Sequence, residues 1–348
     1  MENLRKLASI RVISDIQSIE GADAIELAIV DGWKVVVAKN VGHQIGNEVV
    51  YCEIDSFLPI EPEFEFLRKS SFKKMGEVEG FRLKTIKLRG QLSQGLLLPL
   101  SDAIEVMKRR NGEFYTEMLE VGMDVSSLLG IQKYEPPIPT ELAGKVKGLF
   151  PSFLRKTDEE RIQNLSTEFE EWKGSDKIFY VTEKLDGSSA TFYIKDDEFG
   201  VCSRNLELLE TEGNTFWKVA RELDLENRMR EFGGNFSLQG ELLGTGIQGN
   251  PYKLNKPTVR IFNVFDIDMG EYLPLDKFKF FVEHLGLETV PILDENFKLP
   301  DTIDELLRYA DAKSVLNPNF DREGVVIRST DRTISFKSIS NLFLIKEK

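Results

Sequence analysis

Glu183-Lys184-Leu185-Asp186-Gly187-Ser188-Ser189 sits between two apolar runs, Lys177-Ile178-Phe179-Tyr180-Val181-Thr182 before it and Ala190-Thr191-Phe192-Tyr193-Ile194 after it. β-Branched and aromatic residues dominate both runs, so each reads as a strand, with the charges at the junction. A lysine at a strand end, a carboxylate two residues on and a glycine turn suit a lysine that acts as a nucleophile. In water such an amine has a pKa of about 10.4 and is nearly all ammonium. It becomes nucleophilic only where burial or nearby positive charge favours the neutral form. Taken alone, the run is also compatible with a surface turn, because Asp-Gly is a common hairpin signal.

Five further segments, in chain order, raise its weight. Ser203-Arg204-Asn205, Leu238-Gln239-Gly240-Glu241-Leu242, Ile261-Phe262-Asn263-Val264-Phe265-Asp266-Ile267, Arg322-Glu323-Gly324-Val325-Val326-Ile327 and Ser335-Phe336-Lys337 each set polar groups beside strand-like apolar residues. The series resembles the collinear motifs of the covalent nucleotidyltransferases, the polynucleotide ligases and RNA capping enzymes, over residues 150–348.

Composition bounds the rest. A chain of 348 residues suggests two domains, each able to bury a core. No apolar stretch approaches the ~20 residues a membrane helix needs. The start, Met-Glu-Asn-Leu-Arg-Lys, reads as mature protein and not as a signal peptide. Cys52 and Cys202 lie in separate strand-like runs, as reduced buried thiols of an intracellular protein would. His43 and His284 lie far from the charged motifs, which argues against a histidine base.

The net charge of −13 weighs mildly against nucleic acid, but its distribution is uneven. Arg68, Lys69, Lys73, Lys74, Arg82, Lys84, Lys87 and Arg89 face only Glu77 and Glu79 in the same stretch. Lys145, Lys147, Arg155 and Lys156 form a second cluster. The first cluster reads either as a phosphate track or as a solvated strand face.

The first ~130 residues read as all-β, with strands over Ala8–Ile16, Ile25–Val30, Trp33–Ala38, Glu48–Ile54, Phe81–Leu88 and Gly95–Leu100. Asp31-Gly32 marks a hairpin turn. This suggests a small barrel or sandwich. It also resembles the OB-fold module that precedes the catalytic domain in one group of RNA ligases. Glu135-Pro136-Pro137-Ile138-Pro139 reads as a stiff connector. The expected fold is therefore an N-terminal OB-fold barrel over residues 1–132, a proline-rich linker over 133–145 and an α+β nucleotidyltransferase domain over 146–348. In that second half, Thr157 is expected to cap a helix, and Phe216–Phe232 and Pro300–Ala312 carry helical spacing.

The resemblance implies a role for each charged position. Lys184 would attack the α-phosphate of ATP and carry AMP. Lys337 would contact the α-phosphate and, as a like charge, favour the neutral amine. Glu183 would belong to the nucleotide pocket, Arg204 would meet the ribose or polynucleotide end, and Arg161 the outer phosphates. Phe265 would stack on the base, with Asp266 as its polar neighbour. Glu241, Glu323 and Asp186 would surround Mg²⁺ or Mn²⁺, hard ions that prefer oxygen. One departure stands out: many RNA ligases carry a second lysine two positions after the last-motif lysine, where this chain has Ile339. Either Lys346 would take over that role, or the role would be absent.

Placing the OB-like region first, with eleven residues after Lys337, resembles the ATP-dependent RNA ligases that seal 3′-OH/5′-phosphate nicks in RNA duplexes. The implied partner is nicked duplex RNA and the expected state a monomer. A GTP-using capping enzyme, or a non-catalytic nucleic-acid-binding protein of the same fold, stays open on sequence alone.

Overall fold

The computed structural model describes residues 6–112, 119–134 and 144–346, without the side chain of Lys346. The connector around Pro136-Pro137 lies outside the described residues. The chain forms two compact units, Met1–Ile138 and Pro139–Glu347.

The first unit contains β1 (Ala8–Val12), β2 (Asp15–Ser18), β3 (Ile25–Val30), β4 (Trp33–Ala38), β5 (Glu48–Cys52), β6 (Ser56–Pro59), β7 (Phe72–Met75), β8 (Val78–Arg82), β9 (Thr85–Leu88), β10 (Gln91–Gln94), β11 (Leu96–Pro99) and β12 (Gln132–Lys133). Their sheets run β1-β5-β11, β2-β3-β4, β9-β10 and β12-β6-β8-β7. Trp33 and Asp31-Gly32 explain the β3–β4 hairpin: both turn residues have positive φ, and the indole is 1% exposed against Tyr51. The unit is not purely β. A short helix, α1 (Arg68–Ser71), and a longer one, α2 (Leu100–Asn111), belong to it. Ala103, Val106 and Met107 give α2 one buried stripe, and Gly112 ends it at φ 78. That stripe packs with Ile10, Val50, Leu58, Phe64 and Phe81.

The second unit contains β13 (Val146–Leu149), β14 (Phe179–Lys184), β15 (Ser188–Lys195), β16 (Glu198–Cys202), β17 (Leu206–Leu208), β18 (Phe236–Leu243), β19 (Thr258–Asp266), β20 (Glu271–Tyr272), β21 (Ile292–Phe297), β22 (Gly324–Ser329) and β23 (Ser335–Ile339). Its helices are α3 (Ser166–Lys173), α4 (Thr215–Glu222), α5 (Leu225–Phe232), α6 (Leu275–His284), α7 (Ile303–Ala310) and α8 (Asn341–Lys346). Seven strands form the sheet β13-β17-β16-β15-β18-β19-β20, and four form β21-β14-β22-β23. One core joins Phe192, Leu238, Leu242 and Ile261 to Trp217, Met229, Phe278 and Phe281 of the helices. The other joins Phe179, Val181, Ile327 and Phe336 to Phe169, Leu306 and Ala310. Alternation along β18 then turns Gln239 and Glu241 away from the first core.

Three expectations for helices meet different outcomes. Phe216–Phe232 is two helices, not one, broken at Asp224, whose φ of 52 an aspartate tolerates. Thr157 caps nothing: its hydroxyl meets the Ser189 hydroxyl at 3.0 Å, and the helix begins at Ser166. The third segment forms α7, opened by a capping box of Thr302 and Glu305. Among the described residues no helix is long and apolar enough to cross a membrane.

Phe336 is fully buried and stacks on Trp172 at 5.4 Å. Phe336→Ala should destabilise the second unit by about 3–5 kcal/mol, checked by urea unfolding. A loss below about 1 kcal/mol would contradict this packing.

Candidate active site

The run 183–189 crosses from one sheet of the second unit to the other. Lys184 ends β14, where it pairs with Gly324 of β22. Ser188 begins β15, whose Ser189 pairs with Glu241 of β18. Only a residue without a side chain fits the crossing: a Cβ on Gly187 would lie 2.4 Å from the Leu242 carbonyl oxygen and 2.9 Å from Glu241 Cγ. Gly324 is similarly confined, because its Cβ would lie 2.2 Å from the Ser338 carbonyl oxygen. The Asp186 N–H donates to the Tyr252 hydroxyl at 2.6 Å, which pins the turn.

This crossing gathers charge. Lys184 Nζ donates to Glu323 Oε1 at 2.6 Å. Burial alone would lower the Lys184 pKa, but Glu323, Glu241 and Asp186 outweigh it and hold the amine above its ordinary value. The pKa of Glu241 is pushed up to about 8, first by burial and then by Glu323 and Asp186, against the pull of Lys184 and a hydrogen bond from the Gly187 N–H. Three acidic side chains thus act on one ammonium.

The pleat of the four-stranded sheet brings Lys337 to the same face. Val326 pairs with Thr182 on one side and Lys337 on the other, so these three share a face with Lys184. Arg161 joins them through a parallel bridge to Lys337, whose N–H donates to the Glu160 carbonyl at 2.8 Å.

Comparisons with known proteins bear on this arrangement. A family model described as an OB-fold domain matches residues 7–100, and one described as RNA ligase matches residues 177–346. Solved structures of Naegleria gruberi RNA ligase are 43% identical to this chain. An apo mutant form gives a TM-score of 0.85, covering 99% of this chain and 98% of that one. A mutant with AMP and Mn gives 0.85, with 99% of each chain covered. A further mutant, with ATP and Mn, gives 0.84 at the same coverage. No curated protein sequence matches. The chain belongs to the RNA ligases. Its fold is an OB-fold domain followed by a nucleotidyltransferase domain of mixed helices and sheets.

Within this RNA ligase the structure places the residues singled out in the sequence as follows. Glu183 lies on the opposite face of β14 from Lys184. It alternates with Lys184 along β14, and its carboxylate accepts the Val315 N–H at 2.8 Å, anchoring the loop before β22. Burial raises its pKa. Asp266 is a turn residue, whose Oδ1 accepts the Met269 N–H at 2.9 Å. Phe265 is 3% exposed, with the Arg155 guanidinium 5.5 Å from its ring centroid and Tyr272 at its edge. Lys184 is held as an ammonium by carboxylates, against the expectation of a neutral amine beside Lys337. Asp186, Glu241 and Glu323 converge on that amine, yet among the described residues no three of His, Cys, Asp and Glu are placed to hold a metal by themselves. Arg204 is exposed and ion-paired with Asp158 at 2.6 Å. Ile339 is buried, and the Lys346 side chain lies outside the described residues.

Sequence reasoning missed two features. Tyr252 had no signal beyond a Pro-Tyr pair in a loop. A polar chain also crosses between the sheets: Arg332 Nη2 donates to Asn263 Oδ1 at 2.9 Å, Asn263 Nδ2 to Gln239 Oε1 at 3.0 Å, and Gln239 Nε2 to the Arg155 carbonyl at 2.6 Å. Asn263 and Gln239 stand inside the motif series, and their polarity within apolar strands was the available cue.

The raised Glu241 carboxyl has a stability consequence. Folded, it keeps its proton up to about pH 8; unfolded, it releases it near its ordinary value of 4.5. Between those limits the native state binds more protons, so its contribution disfavours folding increasingly as pH rises. Glu241→Gln should therefore raise Tm at pH 8.5 and change it little at pH 5. Equal shifts at both pH values would exclude this ionisation.

Proposed function

We propose that this chain is an ATP-dependent RNA ligase that joins a 3′-OH to a 5′-phosphate, making a 3′–5′ phosphodiester at nicks in duplex RNA. The observation that carries the reading is Lys184 at the sheet crossing, bonded to Glu323 and within the field of Glu241 and Asp186. It is supported by membership of the RNA ligases and by relatives solved with ATP or AMP and Mn.

The chemistry runs in three displacements. Lys184 Nζ, after losing a proton, attacks the α-phosphorus of ATP; a P–N bond forms and the P–O bond to pyrophosphate breaks. A 5′-phosphate oxygen of the RNA then attacks the same phosphorus, and the P–N bond breaks with return of a proton to the amine. The RNA 3′-OH attacks the activated 5′-phosphorus, loses its proton and expels AMP. Each step needs in-line geometry and neutralised phosphate charge. Lys337 and Arg161, adjacent through their backbone bridge, are assigned to the phosphates. Arg204, exposed at the surface, is assigned to the ribose or the RNA end. A nick is presented by base pairing, so only duplex shape and 2′-hydroxyls need be read.

An excess of buried carboxylate oxygen around one amine fits a divalent cation such as Mg²⁺ or Mn²⁺. Asp186, Glu241 and Glu323 would hold it together with water and phosphate oxygens, because they form no cage alone. Bound there, the ion would neutralise phosphate charge and draw the carboxylate field from the amine. Lys184 then contributes the nucleophile, and Tyr252 keeps its turn in place.

Incubation with α-labelled ATP and Mn²⁺ should label the protein covalently. Label should be absent with GTP, with EDTA and in Lys184→Ala, and nicked RNA should be sealed in preference to nicked DNA. Label persisting in Lys184→Ala would remove this residue from the mechanism; sealing confined to DNA would refute the RNA assignment.

A further inference from the structure

The basic stretch Arg68–Arg89 is divided by the fold into neutralised and unneutralised halves. Arg68 pairs with Glu65, Lys74 with Glu79 and Arg82 with Asp55. Among the described residues Lys84, Lys87 and Arg89 enter no ion pair, and all three are exposed. They stand on one element, the β9–β10 ribbon and its entry. Its turn, Arg89-Gly90, has positive φ at both residues, the geometry that suits a twisted two-residue hairpin. Strand β10 is rooted: Ser93 Oγ accepts the Val36 N–H at 3.0 Å, and the Tyr51 hydroxyl donates to the Gln94 carbonyl at 2.8 Å. Strand β9 is the outer one, paired only with β10. With the residue at each of its ends it carries the three cations over about 17 Å, at ~3.3 Å per residue. Between them Ile86 and Leu88 are 49% and 38% exposed.

A chain of net charge −13 repels a polyanion unless cations are focused locally. We infer that the β9–β10 ribbon is an RNA-docking surface, with Lys84, Lys87 and Arg89 on backbone phosphates of the duplex. The inference rests on the proposed function for the identity of the polyanion. The competing explanation is an edge strand guarded by lysines against self-association. Two features speak against it: Arg89 lies in the turn, off the edge, and a guarded edge would not display Ile86 and Leu88.

The test compares the full chain with a Lys84→Ala, Lys87→Ala, Arg89→Ala variant on a fluorescent nicked RNA duplex at several salt concentrations. None of the three is assigned to the nucleotide site, so covalent labelling from α-labelled ATP should be unchanged. Duplex affinity at about 50 mM salt should fall by more than roughly fortyfold. Each phosphate contact contributes roughly 0.7–0.9 to the salt slope, so between about 50 and 200 mM salt the unaltered chain should lose about 20–40-fold more affinity than the variant. Lys87→Arg should bind like the unaltered chain. Equal affinity and equal slope in the triple variant would overturn the surface, as would a variant that self-associates while binding RNA normally. If the unaltered chain labels itself but neither binds nor seals RNA, the proposed function fails and the surface falls with it. If it seals RNA while the variant is indistinguishable, the surface alone falls.

Discussion

The site depends on how closely the chain passes between two sheets at Lys184–Gly187. Strand β14 belongs to the four-stranded sheet and β15 to the seven-stranded one. Only Leu185, Asp186 and Gly187 separate the two strands, so the backbone runs against Leu242 and Glu241. A side chain at Gly187 would require the backbone to shift, because the nearest atom it meets is the Leu242 carbonyl oxygen. That approach sets Glu241 within the electrostatic reach of Lys184. Gly324 does the same for Glu323 from the other side, letting β22 lie flush against β23 as it meets Lys184. Two glycines therefore set the distance between a lysine and two acids that are far apart in sequence.

That proximity has an electrostatic consequence opposite to the simplest expectation for a nucleophilic lysine. Burial favours the free amine, but the surrounding carboxylates favour the ammonium and prevail. The unliganded site accordingly favours the ammonium. Under the proposed function, reactivity arrives with the substrate: positive charge brought in with the triphosphate competes for the same carboxylates, and the desolvation already built into the site then works toward the neutral amine. Lys337, across Val326 on the same face, serves phosphate charge better than it serves the amine's pKa, because three acids act on Lys184.

Much of this was legible in the sequence because it lies in local patterning. β3 and β4 match their expected limits, since alternation and Asp-Gly define both ends of the hairpin. The motif series contains Lys184, Asp186, Glu241, Glu323 and Lys337; the fold sets the three acids around Lys184, and Arg161, outside that series, bridges to Lys337. What was not legible depends on pleat or on contact between sheets. Glu183 differs from Lys184 by one position, and one position reverses the face. Asp266 follows Phe265 just as closely, and the turn after β19 claims it. Helix α2 was hidden because Leu100–Asn111 follows a run of strands and carries three charges in its last turn. Tyr252 gave no signal, since its value lies in a hydroxyl meeting a distant N–H.

Phe265 shows how a closed groove and a base-binding role can be reconciled energetically. Its ring is covered by Arg155, whose carbonyl terminates the chain Arg332–Asn263–Gln239. In that chain each amide uses its oxygen to accept and its nitrogen to donate, so the order is directional, and it holds the Arg155 backbone, not the guanidinium. The guanidinium is free to leave the ring without breaking the chain. Leaving costs a cation–π contact of about 0.5–2 kcal/mol. A base stacked on an aromatic ring returns about 1–3 kcal/mol. The exchange is near balance and slightly favours the base, so cover by Arg155 in the resting protein is compatible with a nucleotide displacing it, provided the backbone anchor at Gln239 stays intact.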